Sequence, residues 1–409
     1  MTTTELPPNF PAPSPAAKHW AIHPGLVPLN HGSFGACPPA VLDAQRGYLD
    51  LMERDTVTFF EQLASPMLDR SRAAIAPLLG CDAADLVFVP NATQGVQAAL
   101  HNMGLAPGDE LLITSHEYPA CTHNCRAACE RSGATLVTAA LPWPVPDADA
   151  LVEAVLSRVT DRTKACMISG VTSPSAIAMP LDELCPSLRA RGVEVLLDAA
   201  HGVGFAPHHL ERWDVAWATG NAHKWLCSPK GSAWLYVRPD LQPAFRPPVL
   251  SNSAPTRDRV AQLAGRSAFH VEFDYVGTRD ITPFLAIADA AEFLAGVAGS
   301  VEAYMDHNRD LALAGRATIC QHLGLEPPVP DACTGAIAAI GLDTDRPAGD
   351  LKRALYDRWR IQVPVWERRD APEGMIGVGD TPVLRVSANF YNSPAQYEYL
   401  AEALATELA

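Results

Sequence analysis

Short apolar runs recur through the first part of the chain, and stretches with helical periodicity lie between them. The runs are four or five residues long and almost continuously apolar, which is typical of strands buried on both faces. The predicted strands are 86–89, 111–114, 134–138, 165–169, 193–197, 215–219 and 233–237. The predicted helices are 39–53, 66–76, 96–100, 119–132 and 148–159, and Pro77 and Gly80 are expected to end the second. This alternation predicts an α/β fold with a mostly parallel, doubly wound sheet.

The pattern changes after residue 282, where helices become longer and strands fewer. The predicted elements are helices 284–296, 299–323, 348–358 and 394–408 and strands 335–341, 361–365 and 383–387. We therefore predict an N-terminal arm (1–28), a large α/β domain (29–282) and a smaller α+β C-terminal domain (283–409). Residues 238–270 are rich in proline and polar residues and predict a long surface segment.

The net charge and the composition of the chain limit which kinds of molecule it is expected to bind. The chain has 409 residues and a net charge of −15, which argues against nucleic acid or an anionic membrane as a partner. It contains no apolar run of the roughly 18 residues that a membrane span needs. Residues 1–15 lack a basic region followed by an apolar stretch, so we expect a mobile arm rather than a secretory signal, and a cytoplasmic location.

The ten cysteines are expected to be reduced thiols. Cys121, Cys125 and Cys129 would share one face of a helix, with His123 between them. A metal site is conceivable there, but the paired CxxC spacing of zinc sites is missing. We predict small buried thiols and no metal.

An aspartate and a lysine follow neighbouring predicted strands. Asp198 comes directly after strand 193–197, and Lys224 lies in the polar turn after strand 215–219. Taken singly, they could be a helix cap and a solvated surface charge. Together they would face one crevice at the carboxyl end of a parallel sheet. Pyridoxal phosphate chemistry needs this pair, because a lysine bonds the aldehyde and a carboxylate keeps the pyridine nitrogen protonated.

Three stretches carry a family resemblance. Residues 198–201 read D-A-A-H, 221–225 read N-A-H-K-W, and 29–35 read L-N-H-G-S-F-G. The first two resemble the cofactor signature of fold-type-I, class V aminotransferase-like enzymes, and the third resembles bacterial proteins similar to isopenicillin N epimerase. The resemblance implies pyridoxal 5'-phosphate as the cofactor and a large domain built on a seven-stranded-type sheet.

The resemblance also implies roles for the cofactor-binding residues. Lys224 would hold the cofactor, Asp198 its ring nitrogen, and His201 would bond near its oxygen or Asp198. A strand–turn–helix at 86–100 could cradle an anion on free N–H groups, and the resemblance assigns Ala92, Thr93 and His223 to the phosphate. Thr93 could also be a plain helix cap.

Two further turns are expected near the cofactor. Tyr118 would stack on the pyridine, with His116 as the alternative and a surface turn as the plainer interpretation. Ser173 would lie near the phenolic oxygen. The family's D-H-V-T-S-P-T-G motif is altered here, because Ser169 and Gly170 replace its Asp and His.

Substrate contacts and a partner subunit follow from the remaining motifs. The resemblance places Asn30 and His31 on the substrate side and assigns Arg385, in R-x-S-x-x-x-Y-N, to the substrate carboxylate. An internal Asp or Glu partner for Arg385 is the alternative. Residues 272–280 resemble E-F-x-W-x-G-T-x-D, which implies a homodimer with shared active sites, with Thr278 at the neighbour's phosphate. A plain loop is the alternative.

The expected activity is removal of the α-proton of a small-molecule amino acid, with Lys224 as the base. The nearest resemblance implies an epimerase or racemase, and a C–S lyase, an aminotransferase and a non-catalytic pyridoxal phosphate carrier remain as alternatives. A cysteine desulfurase is disfavoured, because residues 334–409 contain no cysteine to act as its nucleophile.

Overall fold

The computed structural model describes residues 6–252, 254–366 and 382–409. The strands are β1 (Val27–Pro28), β2 (Leu86–Val89), β3 (Glu110–Thr114), β4 (Thr135–Ala139), β5 (Thr163–Ser169), β6 (Glu194–Asp198), β7 (Trp217–Asn221), β8 (Ala233–Val237), β9 (Ile337–Gly341), β10 (Ile361–Gln362), β11 (Val365–Trp366) and β12 (Val383–Ser387). The first helices are α1 (His31–Phe34), α2 (Pro39–Arg54), α3 (Thr56–Thr58), α4 (Ala64–Leu79), α5 (Ala92–Asn102), α6 (Pro119–Ser132), α7 (Ala148–Leu156), α8 (Leu181–Arg189) and α9 (Ala222–Trp225). They are followed by α10 (Arg257–Ala264), α11 (Ala268–Asp274), α12 (Thr282–Ala298), α13 (Val301–Leu323), α14 (Ala348–Trp359) and α15 (Pro394–Leu408).

The large sheet has seven strands in the order β2-β8-β7-β6-β5-β3-β4. All neighbours are parallel except β8, which runs antiparallel to both β2 and β7. The prediction of a mostly parallel, seven-stranded-type sheet is therefore confirmed. Chain connections place the ends of β5, β6 and β7 side by side, which is the edge where open α/β sheets bind ligands.

Both faces of this sheet are covered, which explains the continuous apolar runs. In β3, Leu112 packs into one core together with α4, α8 and α12, while Leu111 and Ile113 pack into the opposite core with α5 and α6. The same alternation continues through β5 and β6. Cys121, Cys125 and Cys129 lie in the α5–α6 layer as buried free thiols, as predicted.

The C-terminal part has an antiparallel sheet of its own, in the order β11-β12-β9. It packs with α13, α14 and α15 around a separate apolar core, so the predicted α+β character is confirmed. Between the two parts, α12 packs on α2 and α4 of the large core. The division of the chain at residues 282 and 283 stays a prediction.

The N-terminal segment is held against the C-terminal part. β1 pairs in parallel with β10, the Ser14 hydroxyl donates to the Phe390 carbonyl at 2.8 Å, and Phe10 contacts the Tyr399 ring edge-on. The prediction of a mobile arm is wrong for residues 10–14, because these distant contacts anchor the segment. Residues 1–5 of that prediction lie outside the described residues.

Three local predictions differ from the structure. Helix α4 continues past Pro77 to Leu79, which is fully buried, and Gly80 at φ 60° ends it. Residues 238–270 contain α10 and the start of α11, because a cluster around Phe245 and Phe269 supplies packing that the sequence pattern conceals. The single strand predicted at 361–365 is two short strands in different sheets, divided next to Pro364.

Within the described ranges, no single helix is long and apolar enough to cross a membrane, although the bent pair α12 and α13 together passes that test by length and composition.

Candidate active site

A cavity of about 370 Å³ opens at the carboxyl ends of β5, β6 and β7. Ser169, Asp198 and Asn221 are the last residues of these strands, and all three are buried on its floor. The turn 32–34, Trp366 and Arg385 reach the same cavity from the C-terminal side of the molecule. The predicted site residues that line it are Ala92, Thr93, Tyr118, Ser173, Asp198, His201, His223, Lys224 and Arg385.

Asp198 is held in one orientation at the end of β6. Its carboxylate accepts the Ala200 N–H at 2.9 Å and the Cys121 thiol at 3.2 Å. Burial raises its pKa, and these two donors and the nearby Lys224 oppose that rise. The side chain is 3 % exposed, so a cation that fills the cavity would be its natural counter-charge.

Lys224 lies in the single helical turn α9, directly after β7. Burial and, after it, the positive charge of Arg385 lower the pKa of its amine to about 8, and the charge of Asp198 opposes them. Near physiological pH a lysine with such a pKa has a much larger neutral fraction than an ordinary lysine, although most of it is still protonated, and only the neutral amine is a nucleophile or base.

The amino end of α5 presents an unused donor to the cavity. Asn91 is the helix cap and accepts the Gln94 N–H, and the Asn221 side chain accepts the Ala92 N–H at 2.9 Å. Thr93 is therefore not the cap. Among the described residues, nothing accepts its N–H or its hydroxyl, so both are available for an anion at the positive end of the helix dipole.

The hydrogen-bond partners of two histidines in the cavity, His201 and His223, show which ring nitrogen carries the proton. Trp225 donates to Nδ1 of His201 at 3.0 Å, so neutral His201 carries its proton on Nε2 and is a donor there. His223 donates from Nδ1 to the Ser232 carbonyl at 3.0 Å, so it needs a second proton before Nε2 can donate to an anion. Burial lowers the pKa of His223 to about 4, which a bound anion would oppose.

Arg385 is a buried cation without a buried anion beside it. It donates to the Ser173 carbonyl and to the Ser33 hydroxyl, and its guanidinium lies 5.9 Å from the centre of the Trp366 ring. Its Nε has no hydrogen-bond partner, and burial lowers its pKa to about 10. In ranges 6–252, 254–366 and 382–409, no Asp or Glu forms an ion pair with it, so the internal-partner alternative finds no support there.

The two aromatic candidates at residues 116 and 118 differ in position. Tyr118 lines the cavity and is 45 % exposed, so its ring is free to cover a flat ligand. His116 is buried away from the cavity, 2.7 Å from the Ser175 hydroxyl and near the Trp143 ring. The position of Tyr118 fits the predicted stacking, which stays a prediction.

Asn30 and His31 line a different cavity, of about 600 Å³, on the other side of Phe34. His31 donates from Nε2 to the Lys224 carbonyl at 2.9 Å and accepts the Tyr391 hydroxyl at Nδ1. It therefore supports the backbone of the lysine turn. The substrate-side roles of Asn30 and His31 stay predictions.

Thr278 does not reach the cavity of its own chain. It is exposed, and its hydroxyl lies 3.0 Å from that of Tyr275. The predicted contact with a neighbouring subunit's phosphate site is compatible with this position and stays a prediction.

Comparison with known proteins identifies the family. Residues 35–400 match the family model of class-V aminotransferases. The chain belongs to the class V aminotransferase family. It is 30% identical over 395 residues to isopenicillin N epimerase of Streptomyces clavuligerus, covering 94% of this chain and 95% of that protein.

Two other relatives show the range of the family. A putative L-cysteine desulfhydrase 1 of Oryza sativa subsp. japonica is 27% identical over 410 residues, covering 93% of this chain and 83% of that one. Among solved structures, a C-DES variant with glycine covalently linked to its PLP cofactor superposes with a TM-score of 0.79 at 18% identity, covering 96% and 99% of the two chains. That likeness shows a shared fold.

The cofactor of this member of the class V aminotransferase family is pyridoxal 5'-phosphate, and the donor set of the cavity fits it. The free N–H and hydroxyl of Thr93 suit the phosphate, buried Asp198 suits a protonated ring nitrogen, and Lys224 supplies a neutral amine for the aldehyde. Among the residues described, no group of three or more His, Cys, Asp or Glu side chains is arranged to hold a metal ion.

The sequence interpretation missed four residues of the site. Ser33, Trp366 and Asn221 line the cavity or hold its walls, and Glu117 is buried beside it. Asn221 had a visible signal, since it is polar at the end of an apolar strand. Glu117 had a weaker one, as a carboxylate in the turn after a strand.

Proposed function

We propose that this class V enzyme removes the α-proton of an amino acid and returns a proton with inversion at Cα, as an epimerase. The observation that carries proton removal is the buried Lys224 amine, whose pKa is about 8, between the acid Asp198 and the unpaired cation Arg385. The near full-length similarity to isopenicillin N epimerase favours epimerisation as the outcome.

Each residue has one task in this proposal. Arg385 binds the substrate carboxylate with its planar fork and orients Cα toward Lys224. The neutral amine of Lys224 accepts the α-proton, and His31 holds the Lys224 backbone in place. Asp198 keeps the ring nitrogen of the cofactor protonated. Pyridoxal phosphate, when bound, accepts the electron pair that the proton leaves at Cα.

A C–S lyase is the second candidate, favoured by the similarity to the rice L-cysteine desulfhydrase. The same proton removal would set up elimination of a sulfur group from Cβ. A desulfurase is disfavoured because no cysteine lines the cavity among the described residues, and 334–409 contain none in the sequence.

We further propose a homodimer in the cytoplasm, with Thr278 of each chain at the phosphate of the other. The exposed position of Thr278, away from its own cavity, supports this arrangement.

The test is incubation of the cofactor-loaded enzyme with a panel of L-amino acids in deuterated water, without added keto acid. Epimerisation gives deuterium at Cα and a growing D-enantiomer, while the amino group stays on the substrate. Pyruvate, ammonia and a released thiol from cysteine or its conjugates would establish the lyase instead, and amine exchange that depends on a keto acid would establish an aminotransferase.

Lys224→Ala is the matched control and should exchange no α-proton. If the unaltered enzyme, with its cofactor bound, leaves every amino acid of the panel unlabelled, proton removal is wrong and a carrier role gains support.

A further inference from the structure

A second acid is buried next to Asp198. Glu117 lies in the turn after β3 and is 1 % exposed, yet it does not line the cavity. Its carboxylate accepts the Thr114 hydroxyl at 2.6 Å, the Ser169 hydroxyl at 2.5 Å and the Ser169 N–H at 3.3 Å. No lysine or arginine pairs with it among the described residues. An acid that is buried, accepts three hydrogen bonds and has no cation beside it is costly to keep charged. Its presence therefore points to a functional role.

The sheet brings this acid close to Asp198, the residue that would bind the ring nitrogen of the cofactor. β3, β5 and β6 are neighbours, and Thr114, Ser169 and Asp198 are their last residues. Ser169 is in register with Asp198 across the β5–β6 ladder. Ser169 therefore touches Glu117 through its side chain and pairs with Asp198 through its strand, so the two acids lie on either side of one residue.

We propose that Glu117 is a positioning residue for the cofactor, whose negative charge acts through Asp198 to strengthen binding of the protonated pyridine ring, with Ser169 controlling that charge. The inference rests on the cofactor and not on which reaction follows. It gives a role to Ser169, which stands where the family motif has an aspartate.

The carboxyl group of Glu117 changes between its neutral and charged forms near neutral pH. Burial raises its pKa to about 7, the hydrogen bonds from Ser169 and Thr114 oppose this, and the charge of Asp198 adds to it. The other titratable groups that interact with it are Cys121 and Cys125 of α6 and Cys166 of β5. Burial raises the pKa of each of these thiols, so they stay neutral. The neighbouring His116 turns toward Ser175.

A pH-dependent difference in cofactor affinity follows. Above pH 7, the charge of Glu117 adds to that of Asp198, which alone lines the cavity, whereas below pH 6 Glu117 is neutral and Asp198 acts alone. Removing the Glu117 charge should therefore weaken cofactor binding at high pH and leave it unchanged at low pH. A role in packing alone would weaken binding equally at every pH.

The experiment compares the dissociation constant of pyridoxal phosphate for the full-length protein and for Glu117→Gln between pH 5.5 and 8.5. We expect a ratio near one at pH 5.5 that rises to roughly tenfold at pH 8.5, since one pKa unit of coupling corresponds to a tenfold change. The control is Glu110→Gln, because Glu110 is also a buried acid and begins β3, the strand that ends just before Glu117. Its ratio should not vary with pH.

A second variant, Ser169→Ala, tests the link between Ser169 and Glu117. It also replaces Glu117→Gln as the test if that variant does not fold. Loss of the Ser169 hydroxyl should raise the pKa of Glu117, so binding is weakened near pH 7.5 and recovers by pH 9. The double variant should bind no more weakly than Glu117→Gln. A ratio that is flat with pH in both single variants, or additive losses in the double variant, would overturn the proposal.

Discussion

Lys224 and Arg385 are two buried cations in one cavity. Their like charges repel, so each makes it less favourable for the other to be protonated. Arg385 contributes to the lowered pKa of Lys224, and its own pKa is lowered to about 10 by burial. The site without ligand thus carries excess positive charge next to one acid, Asp198. A phosphate, a substrate carboxylate or both would relieve it, which is why the cavity suits anionic ligands.

The pH dependence of cofactor attachment tests the state of Lys224. Because the neutral amine reacts, the rate of covalent attachment to cofactor-free protein should rise with pH through about 8 and level off above it. In Arg385→Ala, loss of the neighbouring positive charge should move this midpoint to higher pH. Rapid-mixing absorbance measures the rate.

Borohydride reduction followed by peptide mapping locates the attachment, which we expect on Lys224. Recovery of the reduced adduct on Lys230 or Lys164 would refute this assignment. Lys230 is the stricter comparison, because burial also lowers its pKa.

Arg385→Ala should weaken amino-acid binding and leave cofactor affinity nearly intact. A lost charge-assisted pair with a carboxylate costs about 2–4 kcal/mol, which would appear as a higher KM or dissociation constant for substrate. Arg385→Lys is the control, since it keeps the charge and loses the planar fork, and it should recover only part of the affinity. Unchanged substrate binding, or loss of cofactor instead, would show that Arg385 has an internal role.

At the scale of elements, the phosphate end of the site depends on how closely α5 approaches β7. A Cβ added to Gly95 would lie 2.0 Å from the Thr219 hydroxyl, so only glycine permits this contact. The approach places the Thr93 N–H at the cavity and lets the Asn221 side chain accept from Ala92. One helix–strand contact therefore positions both the anion site and the residue that precedes the lysine turn.

Gly95→Ala should push α5 away from β7, because the nearest atoms belong to a short, buried threonine. We expect a loss of about 1–3 kcal/mol in the free energy of unfolding, together with weaker cofactor binding. Gly47→Ala is the control, since Gly47 is in the middle of α2 with open space around it, and there alanine should stabilise by about 0.5–1 kcal/mol. Denaturant unfolding and cofactor titration measure both. Equal effects of the two changes would contradict the close-approach argument.

At the scale of the whole molecule, the cavity lies between the large sheet and the C-terminal part. Arg385 and Trp366 come from the small antiparallel sheet, whereas Asp198 and Lys224 come from the large one. The N-terminal segment links the two, since β1 pairs with β10 and the turn after it carries Ser33 to Arg385. Relative movement of the two parts would therefore change the distance between the substrate carboxylate site and the base.

Mixing two inactive variants tests the proposed exchange of Thr278 between subunits. Lys224→Ala and Thr278→Ala chains, unfolded and refolded together, should form some heterodimers with one intact site. At limiting cofactor, activity should return to roughly a quarter of the unaltered level if sites are shared. Sedimentation should give a dimer. No recovery on mixing, or a fully active monomer, would contradict a shared site.

The sequence by itself determined the large sheet and the pairing of Asp198 with Lys224 at one edge of it. Strands buried on both faces leave continuous apolar runs, so their existence and their places along the chain could be predicted, with boundaries shifted by one residue at 193–197 and by two at 215–219. Asp198 and Lys224 could be placed together because neighbouring strand ends meet at one edge. These inferences use only local pattern and one general rule of topology.

The tertiary structure alone decided which polar groups lack a partner. Arg385 is unpaired by any described acid, Glu117 lies beside Asp198, and Asn30 and His31 face a second cavity. Glu117 and Ser169 are 52 positions apart, and Arg385 and Ser33 are 352 apart. The charge state of a buried group depends on the neighbours that exclude water from it and bond to it. Those neighbours come from distant parts of the chain, and no local pattern records them.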